Sequence, residues 1–232
     1  MNDYQKQQHE AFEQLEKEVR ARETTVTLVE TMADYAADQR LCLTSVVFPP
    51  PELQKTVLDN IIAPLKQADD RQCYYPPTSL HVTIQSIRTV PADFPPRFTT
   101  EDIEKVKKVF QQVLSQHSSF TFKLKGLLEL PTSLSIRAYS NKTLGDLALE
   151  LRKELAKAGV PDNKQYISPD VVFGNMTICR YTTEPNEGFQ TKIAELKTTD
   201  WGKLEVREIN LITTSAVCHP DKTTILTTYN LK

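Results

Sequence analysis

Glycine is scarce in this 232-residue chain, with six copies, so Gly-rich phosphate loops and dinucleotide-binding turns have little to be built from. Cysteine is sparser still. Cys42, Cys73, Cys179 and Cys218 stand far apart with no CxxC or CxxH spacing, which points to reduced thiols in a cytoplasmic protein rather than a zinc module or disulfide framework. An excess of one charge is missing too. Lys+Arg 28 against Asp+Glu 30 leaves a formal charge of -2, which argues against a nucleic-acid coat or a polybasic membrane clamp but leaves room for a small local phosphate site. No apolar run approaches the length of a membrane span, and MNDYQKQQHEAFEQLEKEVR is the opposite of a signal peptide. No His/Asp/Glu spacing resembles a metal site, and no Gly-x-Ser-x-Gly elbow occurs. What is present suffices for a core: 39% of residues are hydrophobic. A chain of this size buries roughly 70% of its unfolded surface without a disulfide or metal staple.

Residues 1 to about 37 read as helix, with Tyr4, Phe12, Leu15 and Val19 forming a narrow apolar stripe and Val26, Leu28, Val29, Met32 and Tyr35 a second short stretch. The domain division that follows is a helical extension over 1–38, read as docked on its own domain, and a folded unit over 39–232. Within that unit, LCLTSVVF is a β-branched strand stopped by Pro49–Pro51. ELQKTVLDNIIAPLKQ is an amphipathic helix interrupted by Pro64. SLHVTIQSI is strand, and the Pro-rich loop VPADFPPRFTTED leads into a helix with Thr100 as its cap. FTFKLKGLLEL and SLSIRAYS are strands. Leu144, Leu147, Leu151 and Leu155 mark the clearest helix, which Gly159 stops. FGNMTICRY is strand and EGFQTKIAELK helix, and KLEVREINLITTSAV with KTTILTTYNL closes as a hairpin around Cys218-His219-Pro220-Asp221. This order is α+β and mostly non-parallel.

An internal duplication shows in that order. Strand, helix and SLHVTIQSI make one unit, and strand, helix and FGNMTICRY a second. An offset of 94 residues, from His81 to Asn175, sets Val82-Thr83-Ile84 against Met176-Thr177-Ile178. Chains built as two similar halves place pockets between them. Strict alternation in the first strand turns Leu80, Val82 and Ile84 to one side and His81, Thr83 and Gln85 to the other. His81 and Thr83 then point the same way, close enough to grip one phosphate between an imidazole and a hydroxyl. Taken alone, a structural or merely exposed His81 is the better reading. In the second strand Asn175 and Thr177 share a face in the same manner, and the matched spacing in a duplicated unit shifts the weight toward a site.

With PPTSLHVTI as a first His-x-Thr element and NMTICR as a second, the chain resembles the two-histidine (2H) phosphoesterase superfamily, which includes 2',5' RNA ligase-like proteins and cyclic phosphodiesterases, over roughly residues 39–232. The resemblance implies two pseudo-symmetric lobes, each an antiparallel sheet with outer helices, flanking a cleft. It also implies a hydrolase chemistry on 2',3'-cyclic or 2',5'-linked phosphodiesters of RNA ends or nucleotides. No metal and no cofactor enter, a nucleotide or RNA end is the ligand, and neither a membrane nor a protein partner is indicated. On this resemblance His81 and Asn175 hold the two catalytic positions, and Thr83 and Thr177 hold the phosphate. Arg180 matches the family's arginine. Asn175 departs from the pattern, standing where the second catalytic histidine belongs, and Gly174 replaces the proline that often precedes it. Asparagine hydrogen-bonds but carries no proton. Two functions follow: a divergent phosphodiesterase retaining one catalytic histidine, or a catalytically silent binder of nucleotides or RNA ends.

Other residues are weaker. In a regular strand Arg180 faces away from Thr177, so a bulge or strand end is required for it to join the site. Tyr74 and Tyr75 before the first motif are positioned to stack a base or to cover a core edge, and Tyr166 carries the same two readings. His219 is an exposed turn residue that could stand in for the missing acid. His9 and His117 read as surface residues on helices.

Overall fold

The computed structural model describes residues 1–90 and 97–232, so part of the expected Pro-rich loop, 91–96, lies outside the described residues. The strands are β1 (Cys42–Val47), β2 (Cys73–Tyr74), β3 (Val82–Arg88), β4 (Phe120–Leu130), β5 (Ser133–Tyr139), β6 (Gly174–Arg180), β7 (Asp200–Val206), β8 (Glu208–Thr214) and β9 (Thr224–Asn230). The helices are α1 (Asp3–Ala21), α2 (Pro51–Val57), α3 (Ala63–Ala68), α4 (Thr100–Leu114), α5 (Lys142–Lys157) and α6 (Glu187–Leu196).

All strand pairs are antiparallel, in the order β7-β4-β5-β6-β3-β1-β8-β9, with β2 added along β6. The order divides into two halves that meet between β3 and β6, where the one bridged pair is Val82 with Met176. The sheet curls into a half-barrel, because Arg207 alone separates β7, at one end of the order, from β8 near the other. The Leu231 amide donates to the Arg207 carbonyl at 2.8 Å, and the Ser119 amide to the Lys232 carbonyl at 2.9 Å, which ties the two ends together. This is the two-lobed α+β architecture with outer helices and an N-terminal helix.

The helices exchange halves. The α2–α3 helix, which joins β1 to β3, packs on β7 and α6, whereas α5, which joins β5 to β6, packs on β3 and α4. The leucine stripe of α5 (Leu144, Leu147, Leu151, Leu155) is buried in the main core, as its helical spacing predicts. Pro64 does not interrupt α2–α3. A π-helical turn over Leu58–Ile62 precedes it, closed by the Ala63 amide on the Leu58 carbonyl, and shifts the bonding so that the missing Pro64 N–H breaks no ladder.

Four local expectations are corrected. Helix α1 ends at Ala21, where Arg22 takes the left-handed conformation (φ 59°), and residues 23–41 form an irregular strap, not more helix. Thr24, Thr25, Val26 and Thr27 are β-branched, which disfavours helix there. The cap of α4 is Thr99, in a capping box with Asp102, and Thr100 is the first helical residue. KLEVREINLITTSAV is two strands broken at Arg207, and only β8 pairs with β9. His117 lies beyond the end of α4 and meets Glu150 at 2.9 Å, whereas His9 is an exposed residue of α1.

Helix α1 is docked on β4 and β5 by Phe12 and Leu15, which pack with Leu128 and Tyr139. Gln8 donates to the Val172 carbonyl at 2.7 Å and accepts from the Ser140 amide at 2.9 Å. Buried Arg137 of β5 meets Glu13 at 2.8 Å and also pairs with Glu16. Gly145 inside α5 makes this approach possible, since a Cβ there would lie 2.3 Å from the Tyr4 hydroxyl.

Candidate active site

Two bulges build the site. Between β6 and β5 the pairing passes from Cys179–Leu134 to Thr177–Ser135, leaving Ile178 as an extra residue. Between β3 and β1 it passes from Gln85–Ser45 to Thr83–Val46, leaving Ile84 extra. Ile84 and Ile178 are separated by the same 94 residues as His81 and Asn175, so the bulge is duplicated with the motif. A bulge re-aims everything after it. Arg180 therefore lines the same cavity as Thr177, and its counterpart Ser86 joins from β3. The expected strict alternation of β3 fails for the same reason. Gln85 is buried, and its side chain meets Asp162, Tyr166 and Arg152 instead of facing the cleft beside Thr83.

Across the β3–β6 seam, antiparallel register about Val82–Met176 sets His81 opposite Thr177 and Thr83 opposite Asn175. These four residues and Arg180 line one cavity, together with Tyr75, Lys164 and Cys218. No carboxylate lines it among the described residues, while Arg88, Lys164 and Arg180 do. Gly174 lets β6 start so close to the seam: a Cβ there would lie 2.7 Å from Val82 and 2.8 Å from the Phe122 ring.

His81 Nδ1 lies 2.7 Å from the Ser79 carbonyl, which can only accept, so Nδ1 carries a proton and, in the neutral ring, Nε2 is the acceptor nitrogen. Burial works against a charge on this ring, but the Cys218 thiol beside it and the Ser79 carbonyl outweigh burial and raise its pKa. The reciprocal effect holds on Cys218: burial opposes the thiolate, and the imidazolium of His81 overcomes it and lowers the thiol's pKa. Tyr75 stacks on His81 with ring centroids 6.4 Å apart. Its hydroxyl donates to the Ala216 carbonyl at 3.2 Å and accepts from Arg180 Nε at 3.1 Å, and burial pushes its pKa up to about 12. Arg180 Nε also reaches the Ala216 carbonyl at 3.2 Å, which aims the guanidinium without giving it a carboxylate partner. On the other strand Asn175 donates to Ser135 at 3.1 Å, and Ser135 meets the Thr177 hydroxyl at 3.2 Å.

Three tyrosines separate here. Tyr75 lines the cavity, Tyr74 is held away by its bond to the Asp69 carbonyl at 2.6 Å, and Tyr166 lies under the Arg152 guanidinium at 3.7 Å in an adjoining hollow. His219 does not line the cavity; its ring caps the short turn at Pro220–Lys222 and lies 3.8 Å from Asp221, so the expected stand-in role finds no support in its position. Sequence reasoning missed Lys164, Cys218, Ser135 and Ser86. Ser86 was within reach, since the offset of 94 lands it on Arg180. Lys164 and Cys218 come from loops remote in sequence and carried no local signal. The Lys164 amine lies 5.5 Å from the Tyr166 ring centre, and burial followed by repulsion from Arg152 lowers its pKa. The strap closes one wall: Thr27, Leu28 and Val29 line the cavity, pinned by the Gln165 amide on the Thr27 hydroxyl at 2.8 Å. No cluster of three or more metal-ligating side chains occurs among the described residues.

No family model matches the chain, and no curated protein matches its sequence. Solved structures do match. One described as a phosphoesterase superposes with a TM-score of 0.57 at 15% identity, covering 84% of this chain and 99% of its own. The Thermus thermophilus protein TT0787 gives 0.58 at 16%, covering 82% and 97%. E. coli LigT complexed with 3'-AMP gives 0.54 at 16%, covering 84% and 99%. The chain thus shares the fold of these structures, each of which leaves part of it uncovered.

Proposed function

We propose that the cleft binds the phosphate of a nucleotide or RNA end and that His81 performs slow proton transfer on a 2',3'-cyclic or 2',5'-linked phosphodiester. The observation that carries this reading is the cavity wall itself: His81, Thr83, Asn175, Thr177 and Arg180 converge from two strands, with cations and no carboxylate among the lining residues. Hydroxyls, an asparagine amide and a guanidinium are donors matched to phosphoryl oxygens. LigT has been solved with ATP, with 3'-AMP and with NADP+, which supports a nucleotide as ligand for this fold.

Hydrolysis of a cyclic phosphodiester needs a base to take a proton from water and an acid to protonate the leaving oxygen. His81 Nε2 is suited to either role, and its raised pKa biases it to the imidazolium, the acid. Asn175 orients a water or a phosphoryl oxygen and transfers nothing. Turnover on one proton-transfer group is expected to run about 10²–10⁴ below that of a two-group site. A second reading, binding without turnover, is favoured by the same asparagine and by the strap at the cavity wall. Titration of 3'-AMP and inorganic phosphate, followed by ³¹P NMR of a 2',3'-cyclic nucleotide with the protein, tests both. Binding without product supports the silent binder, product abolished by His81→Ala supports the enzyme, and neither binding nor product removes the reading.

A further inference from the structure

The two halves of the cleft differ in charge. The offset of 94 residues sets Ser86 of β3 against Arg180 of β6, and the duplicated bulges turn both positions into the cavity. One end therefore receives an arginine from its strand and the other a serine. Lys164, from the loop after α5, lines both the cleft and the adjoining hollow. The two spaces share Thr83, Ser86 and Asn175 but not His81 or Arg180, so the lysine belongs to the serine end. Its amine has no carboxylate or hydrogen-bond partner among the described residues. Asp162 is close enough to act on that charge, but one of its oxygens accepts from Gln85 at 2.9 Å and the other from the Lys164 backbone amide at 3.1 Å, and it lines neither space. Arg152 of α5 stands beside the lysine: its guanidinium lies 3.7 Å, and the Lys164 amine 5.5 Å, from the centre of the same Tyr166 ring. It donates to Gln85 at 3.1 Å and has no carboxylate partner among the described residues. Arg88 reaches the cleft too, but its guanidinium donates to the carbonyls of Ile87, Pro161 and Arg97. Two cations thus flank one ring with no anion held between them. The wall beyond them is apolar, with Ile84, Leu128, Ile167 and Phe173, and charges attract more strongly there than in water. Burial and the neighbouring guanidinium oppose the charge on Lys164, and a bound anion would relieve the repulsion.

We propose that Lys164 and Arg152 form a second anion subsite, which takes a phosphate one ribose away from the phosphate held between Thr83 and Thr177. The inference rests on the phosphate-cleft reading above and specifies its ligand class: a nucleotide carrying phosphate on its 5' side as well as on its 2' or 3' side. Ser86, at the lysine's end, stands three residues beyond Thr83 along β3, a separation of roughly 10 Å at the rise of a strand and somewhat less across a bulge. The directly linked phosphates of a pyrophosphate are too close together for that span, whereas phosphates on opposite sides of one ribose match it. An ammonium and a guanidinium supply charge-assisted hydrogen bonds to phosphoryl oxygens. The second phosphate has two sources, the free monoester of a nucleoside 3',5'-bisphosphate or the last internal phosphodiester of an RNA end, and both present anionic oxygens at the same place.

The test measures by calorimetry the affinity of the intact protein for 3'-AMP, for adenosine 3',5'-bisphosphate and for the 3'-phosphorylated dinucleotide ApAp, which has one internal phosphodiester. The bisphosphate is expected to bind about tenfold tighter than 3'-AMP. If ApAp shares that gain the source is an RNA end, and if ApAp binds only as 3'-AMP does the source is the free bisphosphate. Lys164→Gln should remove most of the preference for the bisphosphate, and Lys164→Arg, which keeps the charge, should retain it. Should Lys164→Gln fail to fold, Arg152→Gln carries the same expectation. Equal wild-type affinities for the bisphosphate and 3'-AMP overturn the subsite and leave the phosphate cleft standing, whereas no binding of either removes both. A preference that persists in folded Lys164→Gln also overturns the assignment.

Discussion

At the scale of single residues, the position that matters most to the proposed chemistry is Asn175. Its amide donates to Ser135, which in turn meets the Thr177 hydroxyl, so its side chain is held in place beside the threonine. Asn175→His is expected to raise hydrolysis of a 2',3'-cyclic nucleotide by about 10²–10⁴, with little change in 3'-AMP binding, and His81→Ala should abolish the gain. An unchanged rate with ligand still bound would show that the cleft serves binding alone. His81 and Cys218 make a second prediction. Burial works against a charge on His81, but its interaction with Cys218 and the Ser79 carbonyl outweighs burial and raises its pKa above the usual 6.5, so the imidazolium's pull on a bound phosphate is fully present below that value and is lost as pH rises through the folded one. Removing the interaction with Cys218→Ser should move that loss to lower pH. Phosphate titrations across pH on both proteins check it, and coincident profiles would deny the coupling.

At the scale of elements, α1 is held by a few strong contacts rather than a broad face. Phe12 is fully buried and packs against the rings of Tyr139 and Phe173, with Arg137 5.3 Å from its own ring. Arg137 itself sits on β5 in register with Asn175, so the helix covers sheet next to the site. Phe12→Ala should remove about 3–5 kcal/mol of packing. Hydrogen exchange of residues 3–21 is expected to accelerate about a hundredfold or more, while the strands keep their protection. Uniform acceleration across the sheet would mean that α1 and the sheet open as one unit. The duplicated bulges at Ile84 and Ile178 act at this scale too, since they bring Ser86 and Arg180 into the cavity.

At the scale of the whole molecule, the charge balance of -2 sets how ligands are found. Attraction is confined to the cleft cations, so 3'-AMP affinity should fall only a few-fold between about 50 and 200 mM salt, and duplex RNA should bind more weakly than the nucleotide; a steep salt slope with preference for the duplex would reveal a nucleic-acid surface elsewhere. Composition and periodicity by themselves determined the α+β class, the duplication, the α5 leucine stripe and the pairing of His81-x-Thr83 with Asn175-x-Thr177, because these follow from local alternation and from a repeat visible in one dimension. Where Arg180 points was decided only by the bulge, which depends on register with a neighbouring strand and has no signature in the strand's own residues. The end of α1, the strap across the cleft, and the arrival of Lys164 and Cys218 beside His81 were likewise settled by tertiary packing. Each joins residues far apart along the chain, or a polar segment whose only partner is another segment's surface, and contacts of that kind are made in space rather than along the chain.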